Sequence, residues 1–392
     1  MLMLVLGHTL ALTKPVDSII SYATRFCNNT ANAAAIVTFL TILVALFNWG
    51  LGLIFGAILA RKVGEHAAKN DIDLNYHLIG AAGYSGLMVW HGGISGSAPI
   101  KVAEAGHINS LMSSIVSPEQ LQLLPDPVSF SETVFSSMNL VAILLVVIVL
   151  PSFMYMMGKR SSSGAFLPLN KPELTLESVD VEGAERLDHS KLFGLGIGLI
   201  IAIYCTYLAV NVFPEKGFGF INPNYINLLL LGLGLLLHRS FFKFLKAIDQ
   251  AIGGASGILI QFPLYFGIMG IMNSSGLVQL FSDFFVSISN ETTFPIFTFI
   301  SAGIVNVFVP SGGGQWGVQG PIILQAASEL GVSIPKSIMA LAYGDQLTNM
   351  LQPFWALPLL GITGLKAKEI LPYTVSLMGV GIVLFVSVLL IF

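Results

Sequence analysis

Apolar segments separated by short polar stretches run along almost the whole chain. They lie at about residues 33–60, 77–100, 133–157, 191–213, 219–237, 249–273, 277–289, 293–328, 335–362 and 370–392. Several of them exceed the roughly 20 residues that an α-helix needs to cross a hydrocarbon core of about 30 Å. The pattern therefore predicts an all-α, polytopic membrane protein.

The stretch 158–190 departs from this pattern, because it is rich in serine and in charged residues. It predicts a solvated cytoplasmic loop, with one short surface helix, that divides the chain into two parts. Residues 1–157 form a first membrane repeat, and residues 191–392 form a connecting helix and a second repeat. Residues 1–13 are apolar but span only about 20 Å as a helix. We therefore expect them to be the end of a spanning helix whose beginning is missing, so that the first repeat is N-terminally incomplete.

Two apolar segments are interrupted by polar, glycine-rich breaks. Asn48-Trp49-Gly50 interrupts 33–60, and Pro310–Gly317 interrupts 293–328. Each arm is too short to cross a bilayer, and exposed backbone polar groups are tolerated at membrane depth only inside protein or against a watery cavity. The breaks predict two re-entrant helical hairpins; a tilted spanning helix with a kink is the alternative for each.

The distribution of basic residues orients the two hairpins. With the ends of the first in the cytoplasm and the ends of the second outside, only Lys101, Lys216 and Lys336 of the 18 basic residues fall outside, as the positive-inside rule requires. The segment 277–289 then lies along the external interface. Broken helices at 90–99 and 343–353 follow the hairpins, so the chain is predicted to contain two inverted repeats, a feature typical of secondary transporters.

The four breaks supply the candidate substrate-binding residues. Helices that begin at such breaks direct free N–H groups toward an anion, and serine, threonine and asparagine side chains add donors. No lysine or arginine lies inside these segments, so a bound carboxylate would be held by dipoles, amides and hydroxyls. The predicted substrate-binding residues are Asn48, Trp49, Gly50, Ser95, Gly96, Ser97, Asn306, Ser311, Gly312, Gly313, Gly314, Gln315, Thr348 and Asn349.

Asp345 is a carboxylate inside an apolar helix, and such residues are expensive in a membrane and typical of functional sites. We predict that it binds a coupling cation, Na⁺ or H⁺, and that His91 also exchanges a proton; a buried helix-capping carboxylate and a structural histidine are the alternatives. Trp49, Trp316 and Trp355 flank the breaks and either line the cavity or pack in the core. No metal and no cofactor beyond the co-transported cation are predicted.

Composition narrows the function further. The chain is 54% hydrophobic and only 10% charged, which excludes nucleic acid as a partner, and its two cysteines indicate no disulfide framework. A membrane-embedded serine protease is a distant alternative, because Gly93–Gly96 and Gly254–Gly257 both match Gly-x-Ser-Gly; it would need a histidine beside the serine. A passive channel would show no saturable uptake. The preferred interpretation is a carrier, not an enzyme.

The sequence at the breaks resembles the short-chain fatty acid transporter (AtoE) family. The matching stretches are 48–52, 91–99, 310–316, 342–346 and 352–358. The resemblance implies a bacterial inner-membrane carrier for small monocarboxylates such as butyrate or acetoacetate, with another small organic anion as the alternative. It also implies a homodimer and an elevator-like mechanism by analogy with the ion transporter superfamily. With the co-transported Na⁺ or H⁺ that the residues predict, the carrier would be a cation-coupled symporter. The chain departs from the family pattern at His91, which replaces a glycine, and at Asp345, which often is glutamate.

Overall fold

The computed structural model describes residues 2–113, 116–161 and 183–392, and for several residues between 254 and 282 it describes the backbone alone. Helices and 3₁₀ turns are the only regular elements in these described parts. The helices of the first part of the chain are α1 Leu2–Ala11, α2 Lys14–Thr24, α3 Thr30–Phe47, α4 Trp49–Lys69, α5 Tyr76–Tyr84, α6 Ser97–Val102, α7 His107–Met112, α8 Pro118–Leu121 and α9 Ser137–Arg160.

Of the remaining helices, the first lies within the stretch 158–190 that is predicted to be a loop, and the others follow it. They are α10 Glu185–His189, α11 Lys191–Lys216, α12 Pro223–His238, α13 Phe241–Ser274, α14 Leu277–Ser287, α15 Phe294–Phe308, α16 Gly312–Glu329, α17 Ile334–Thr348, α18 Pro353–Thr363 and α19 Ala367–Ile391. The 3₁₀ turns are Ser85–Met88, Trp90–Gly92, Gly217–Phe220 and Asn349–Leu351. The prediction of an all-α fold is confirmed.

Four of the described helices are long and apolar enough to cross a membrane. They cover Thr30–Phe47, Ser137–Arg160, Lys191–Glu215 and Ala367–Ile391. Many large apolar side chains on α9, α11 and α19 are exposed, among them Leu144, Ile200 and Val383. Exposed apolar surface of this kind is stable against lipid chains, so the fold agrees with a membrane protein whose outer helices face the bilayer.

Asparagine and serine side chains end and begin the helices at the two predicted hairpin breaks. Asn48 separates α3 from α4, and its Oδ1 accepts the N–H of Leu51 at 2.8 Å. Ser311 precedes α16, and its Oγ accepts the N–H of Gly314 at 3.3 Å. Such caps replace the intrahelical bonds that the first turn lacks. α3 packs against α4, and α15 packs against α16, so both helix pairs form hairpins; their re-entrant orientation and the inverted repeat stay predictions.

The two predicted broken helices are also present, and one side chain joins them. α5 and α6 are separated by the 3₁₀ turns at 85–92, and α17 and α18 by the turn at 349–351. The Tyr84 hydroxyl donates to the backbone oxygens of Asn349 and Gln352, both at 3.0 Å. A buried hydroxyl between two helix ends satisfies carbonyls that the breaks leave free. The breaks of the two halves therefore meet in the interior.

One predicted helix start differs in the structure. α13 begins at Phe241 and so includes residues that the hydropathy pattern assigned to a polar connection. The apolar residues Phe244, Ala247 and Ala251 are buried at helical spacing, while Lys243 and Lys246 lie between them or beside them, which explains why the helix extends beyond the apolar run. Of the stretch 158–190, residues 162–182 lie outside the described residues, while the short helix expected there is present as α10.

Candidate functional site

A cavity of about 110 Å³ lies where the breaks of both halves meet. The described residues that line it are Trp49, Leu87, Trp90, Ser97, Pro310, Ser311, Gly312, Gly313, Asp345, Asn349 and Trp355. They come from all four predicted breaks. The cavity is therefore the place at which the sequence-predicted site residues converge.

The first turn of α16 forms the polar end of the cavity. The amides of Gly312 and Gly313 belong to the first turn, where N–H groups have no intrahelical acceptor, and both residues line the cavity. The amides that follow are occupied, because Gly314 N–H donates to Ser311 Oγ and Gln315 N–H donates to the Ser311 carbonyl oxygen at 2.7 Å. Among the described residues no hydrogen bond occupies the N–H groups of Gly312 and Gly313, and two such groups at the positive end of an 18-residue helix are an anion-binding arrangement.

Three indole rings form the apolar wall of the cavity. The ring of Trp49 lies 5.4 Å from that of Trp355 and 6.1 Å from that of Trp90. Leu87 completes this wall. Such a surface accommodates a short alkyl chain by removing apolar area from water.

A buried histidine–aspartate pair lies beside the start of α16. Nδ1 of His91 is 2.8 Å from Oδ2 of Asp345, and both side chains are almost completely buried; the two atoms are in contact without the alignment of a hydrogen bond. Nε2 of His91 accepts the N–H of Ala98 at 3.0 Å. The imidazole also stacks on Trp90, with ring centres 4.3 Å apart and planes 7° apart. Both ring nitrogens of His91 therefore have a defined neighbour: Nε2 accepts a hydrogen bond, and Nδ1 lies beside the carboxylate of Asp345.

A buried polar network holds the broken helix that carries His91. Oε1 of Gln346 accepts the N–H groups of His91 at 2.9 Å and Gly92 at 3.3 Å. Asn139 of α9 donates to the Gly92 carbonyl oxygen at 2.8 Å and accepts from the hydroxyl of Tyr343 at 2.8 Å. These bonds replace the backbone hydrogen bonds that a continuous helix would have at the break. They fix the position of His91 relative to α17, on which Asp345 lies.

Several predicted residues of the first half support the cavity without lining it. The side chain of Asn48 caps α4, and Ser95 Oγ accepts the N–H of Trp49 at 3.0 Å. Gly50 packs against the backbone of α1, where a Cβ would lie 2.8 Å from the Met3 carbonyl oxygen. A Cβ on Gly96 would collide with the carbonyl oxygen of His91. At the first hairpin tip these groups bond within the protein, Asn48 Nδ2 has no partner among the described residues, and of residues 48–50 Trp49 lines the cavity.

The second half shows the same division. Asn306 Nδ2 donates to the backbone oxygen of Asp345, to Thr348 Oγ1 at 2.9 Å and to Asn349 Oδ1 at 3.2 Å. Gln315 Nε2 donates to the Ala302 carbonyl oxygen at 2.8 Å. Of these predicted ligands only Asn349 lines the cavity, together with Ser311, Gly312 and Gly313. The others orient helices around it.

The sequence reasoning missed Leu87, Trp90 and Pro310 as lining residues. Trp90 is the first residue of the predicted break at 90–99, and an aromatic residue at that position is the signal that could have identified it. Trp316, for which cavity lining and core packing were both open, packs in the core, where it is buried and its Nε1 donates to His107 Nε2 at 3.0 Å. Nothing in the sequence distinguishes a packed tryptophan from a cavity tryptophan.

Comparison with known proteins identifies the family. The chain matches the family described as short chain fatty acid transporter over residues 1–392. It is 37% identical over 393 residues to a protein of Escherichia coli K12 whose name assigns it to short-chain fatty acid transport, covering 98% of this chain and 84% of that protein. A protein of Haemophilus influenzae with the same name is 36% identical and is covered over 82% of its length. The chain therefore belongs to the short chain fatty acid transporter family, and it is not an enzyme, as predicted.

Two solved structures share the fold. The YdaH transporter of Alcanivorax borkumensis superposes with a TM-score of 0.52 at 17% identity, over 98% of this chain and 84% of that chain. The antimetabolite efflux pump MtrF of Neisseria gonorrhoeae gives a TM-score of 0.53 at 12% identity, over 100% and 80%. At these identities the likeness establishes a common fold and nothing about the substrate.

Proposed function

We propose that this chain, as a member of the short chain fatty acid transporter family, is a secondary active carrier that binds small monocarboxylates in the cavity at the start of α16. Butyrate and acetoacetate are the substrates that we expect. The substrate carboxylate accepts hydrogen bonds from the amides of Gly312 and Gly313, with Ser97, Ser311 and Asn349 at the rim. The alkyl chain lies against the three indole rings.

The observation that carries this proposal is the pairing of two free amides with an aromatic wall inside one small cavity. An apolar cavity of about 150 Å³ holds benzene, and butyrate has as many non-hydrogen atoms as benzene. A cavity of about 110 Å³ suits an acid of that size or shorter. The described lining includes no lysine or arginine, so the negative charge is balanced by amides and by a co-transported cation.

The remaining parts of the proposal come from the family and the fold. We place the protein in the inner membrane of a bacterium, as a homodimer in which an elevator-like movement carries the cavity from one side to the other. A carrier for another small organic anion is the alternative; it would use the same amides but a different wall.

The protease alternative finds no support in the surroundings of Ser95. Ser95 Oγ accepts the N–H of Trp49, and Nε2 of His91 accepts the N–H of Ala98, so the nearest histidine is engaged elsewhere. The second match, at 254–257, has no described side chains. A serine without a hydrogen-bonded base is not an activated nucleophile.

Counterflow in proteoliposomes tests the proposed function. Vesicles that contain the protein and are loaded with unlabelled butyrate should accumulate external labelled butyrate transiently, and protein-free vesicles should show only passive entry. External acetoacetate should compete, whereas succinate should not, because a second carboxylate would meet the indole wall. Equal label entry with and without protein would refute the proposal.

A further inference from the structure

We propose that Asp345 and the bound substrate carboxylate share one proton, so that this carrier is an electroneutral symporter of one proton with each monocarboxylate and does not require Na⁺. The inference rests on the proposed function and identifies its coupling ion. It follows from the position of Asp345 in the cavity, from the hydrogen bonds that fix His91, and from the charges around the pair.

The contacts of His91 make the histidine–aspartate pair negatively charged when Asp345 is ionised. Because Nε2 accepts the N–H of Ala98, it carries no proton, and the proton of the neutral imidazole lies on Nδ1. A second proton, on Nε2, would face the N–H of Ala98. His91 therefore lies with Nδ1 2.8 Å from Oδ2 of Asp345 as a neutral ring and adds no positive charge.

No other charge compensates this carboxylate in the part of the chain that the structure describes. Lys101 of α6 lies 3.0 Å from Glu104, and Tyr343 of α17 donates to Asn139. The other titratable groups on elements packed against the pair lie at distant helix ends, namely Glu329 of α16, Lys336 of α17, and Lys368, Glu369 and Tyr373 of α19. α15 and the 3₁₀ turns at 85–88 and 349–351 carry no charged residue.

The proposed carboxylate site directly adjoins this negative charge. A Cβ on Gly312 would lie 2.9 Å from Oδ2 of Asp345, so an anion held by the Gly312 amide lies within a few ångströms of Asp345. With an effective dielectric constant of about 20 and a separation of about 5 Å, the repulsion between two carboxylates weakens binding roughly a hundredfold or more. Two carboxylates at such a distance do not both stay ionised, and one proton shared between them removes the repulsion.

A proton fits these surroundings better than a metal cation does. Hard cations bind several oxygen ligands, whereas the nearest neighbour given for Oδ2 of Asp345 is a ring nitrogen of His91, at 2.8 Å. The space beside Oδ2 over Gly312 is also bordered by carbon atoms of His91 and Trp90, which do not bind a hard cation. The proton needs only the two carboxylates, and it enters with the substrate from one side and leaves with it on the other.

Proton uptake on binding tests the inference in purified protein. Three of the four tryptophans line the cavity, so quenching of tryptophan fluorescence reports butyrate binding, and an indicator dye in weakly buffered detergent solution reports protons. Above neutral pH we expect uptake that approaches one proton per butyrate and an affinity that falls tenfold per pH unit, with and without Na⁺. Asp345→Asn, which resembles the protonated acid, should bind butyrate independently of pH and without proton uptake. Glu329→Gln, which changes an exposed carboxylate at the other end of α16, should behave like the wild type.

The outcomes separate the two proposals. Butyrate binding without proton uptake by the wild-type protein, or binding that requires Na⁺, would overturn the shared proton and leave the carrier function intact. Proton uptake that persists in Asp345→Asn would assign the proton to another group and overturn it as well. No butyrate binding by the wild-type protein at any pH would overturn the proposed function and the inference with it.

Discussion

Replacing Gly312 by alanine tests whether the start of α16 is the carboxylate site. A Cβ at this position would lie 2.9 Å from Oδ2 of Asp345, 2.9 Å from Cε1 of His91 and 3.0 Å from Cη2 of Trp90. Real Cβ atoms rarely approach other atoms so closely, and all three neighbours are buried. The helix start must therefore move away from the pair, which displaces the amides of Gly312 and Gly313 from the cavity.

The size of the effect follows from the cost of overpacking. Forcing an extra methyl group into a close-packed site costs about 1–3 kcal/mol. If this strain falls on the bound state, the dissociation constant for butyrate rises about five- to 150-fold. Gly317→Ala is the matched control, because it lies on the same helix and a Cβ there has no atom within 4 Å.

Tryptophan fluorescence titration with butyrate measures both variants, and thermal unfolding in detergent shows whether each is folded. We expect Gly317→Ala to bind like the wild type and Gly312→Ala to bind weakly while remaining folded. A folded Gly312→Ala protein with wild-type affinity would refute the placement of the carboxylate at this helix start.

Three further changes test the wall, the network and an external contact. Leu87→Ala should enlarge the cavity at its apolar wall. In competition assays the affinity for hexanoate relative to butyrate should improve about tenfold, since each buried methylene is worth about 0.8 kcal/mol. An unchanged ratio of the two affinities would exclude Leu87 from the site of the alkyl chain. Gln346→Leu removes the acceptor of the buried His91 N–H and one of the two acceptors of the Gly92 N–H. It should cost about 1–3 kcal/mol for the orphaned donor, so its unfolding temperature should fall, while that of the exposed Gln325→Leu should not. Burial, and then Lys101, lowers the pKa of His107 from its usual 6.5, so the folded state favours the neutral ring that accepts from Trp316. This stabilisation is present above pH 6.5 and is lost as the pH falls through the lowered pKa; His107→Gln should show a smaller loss of thermal stability between pH 7.5 and 5, and an unchanged pH profile would contradict the assignment.

Hydrophobicity and backbone chemistry made most of the helical architecture predictable. The breaks at Asn48 and at Ser311 were predictable because polar residues and glycines interrupt apolar runs there. A helix that spans lipid would have a continuous apolar run. The start of α13 at Phe241 was not predictable in this way. Its first turns carry both lysines and apolar residues, and such a helix start resembles a polar connection when only average hydropathy is considered.

The candidate site was predictable at the level of segments and less so at the level of side chains. Asp345 and Gly312 line the cavity as the sequence predicts, because a carboxylate and a glycine-rich helix start in apolar surroundings have few structural uses. Asn306 and Ser95 carry the same donor groups as true lining residues, yet they bond to backbone atoms of the neighbouring helices. Which side of a break a polar side chain faces depends on tertiary packing, and a single sequence does not record it.

A density map of the protein with 4-bromobutyrate tests the central claim most directly. The account predicts bromine density against the indole rings of Trp49, Trp90 and Trp355, with the carboxylate end at the amides of Gly312 and Gly313. Bromine density elsewhere in the protein, with this cavity unoccupied by the acid, would contradict it.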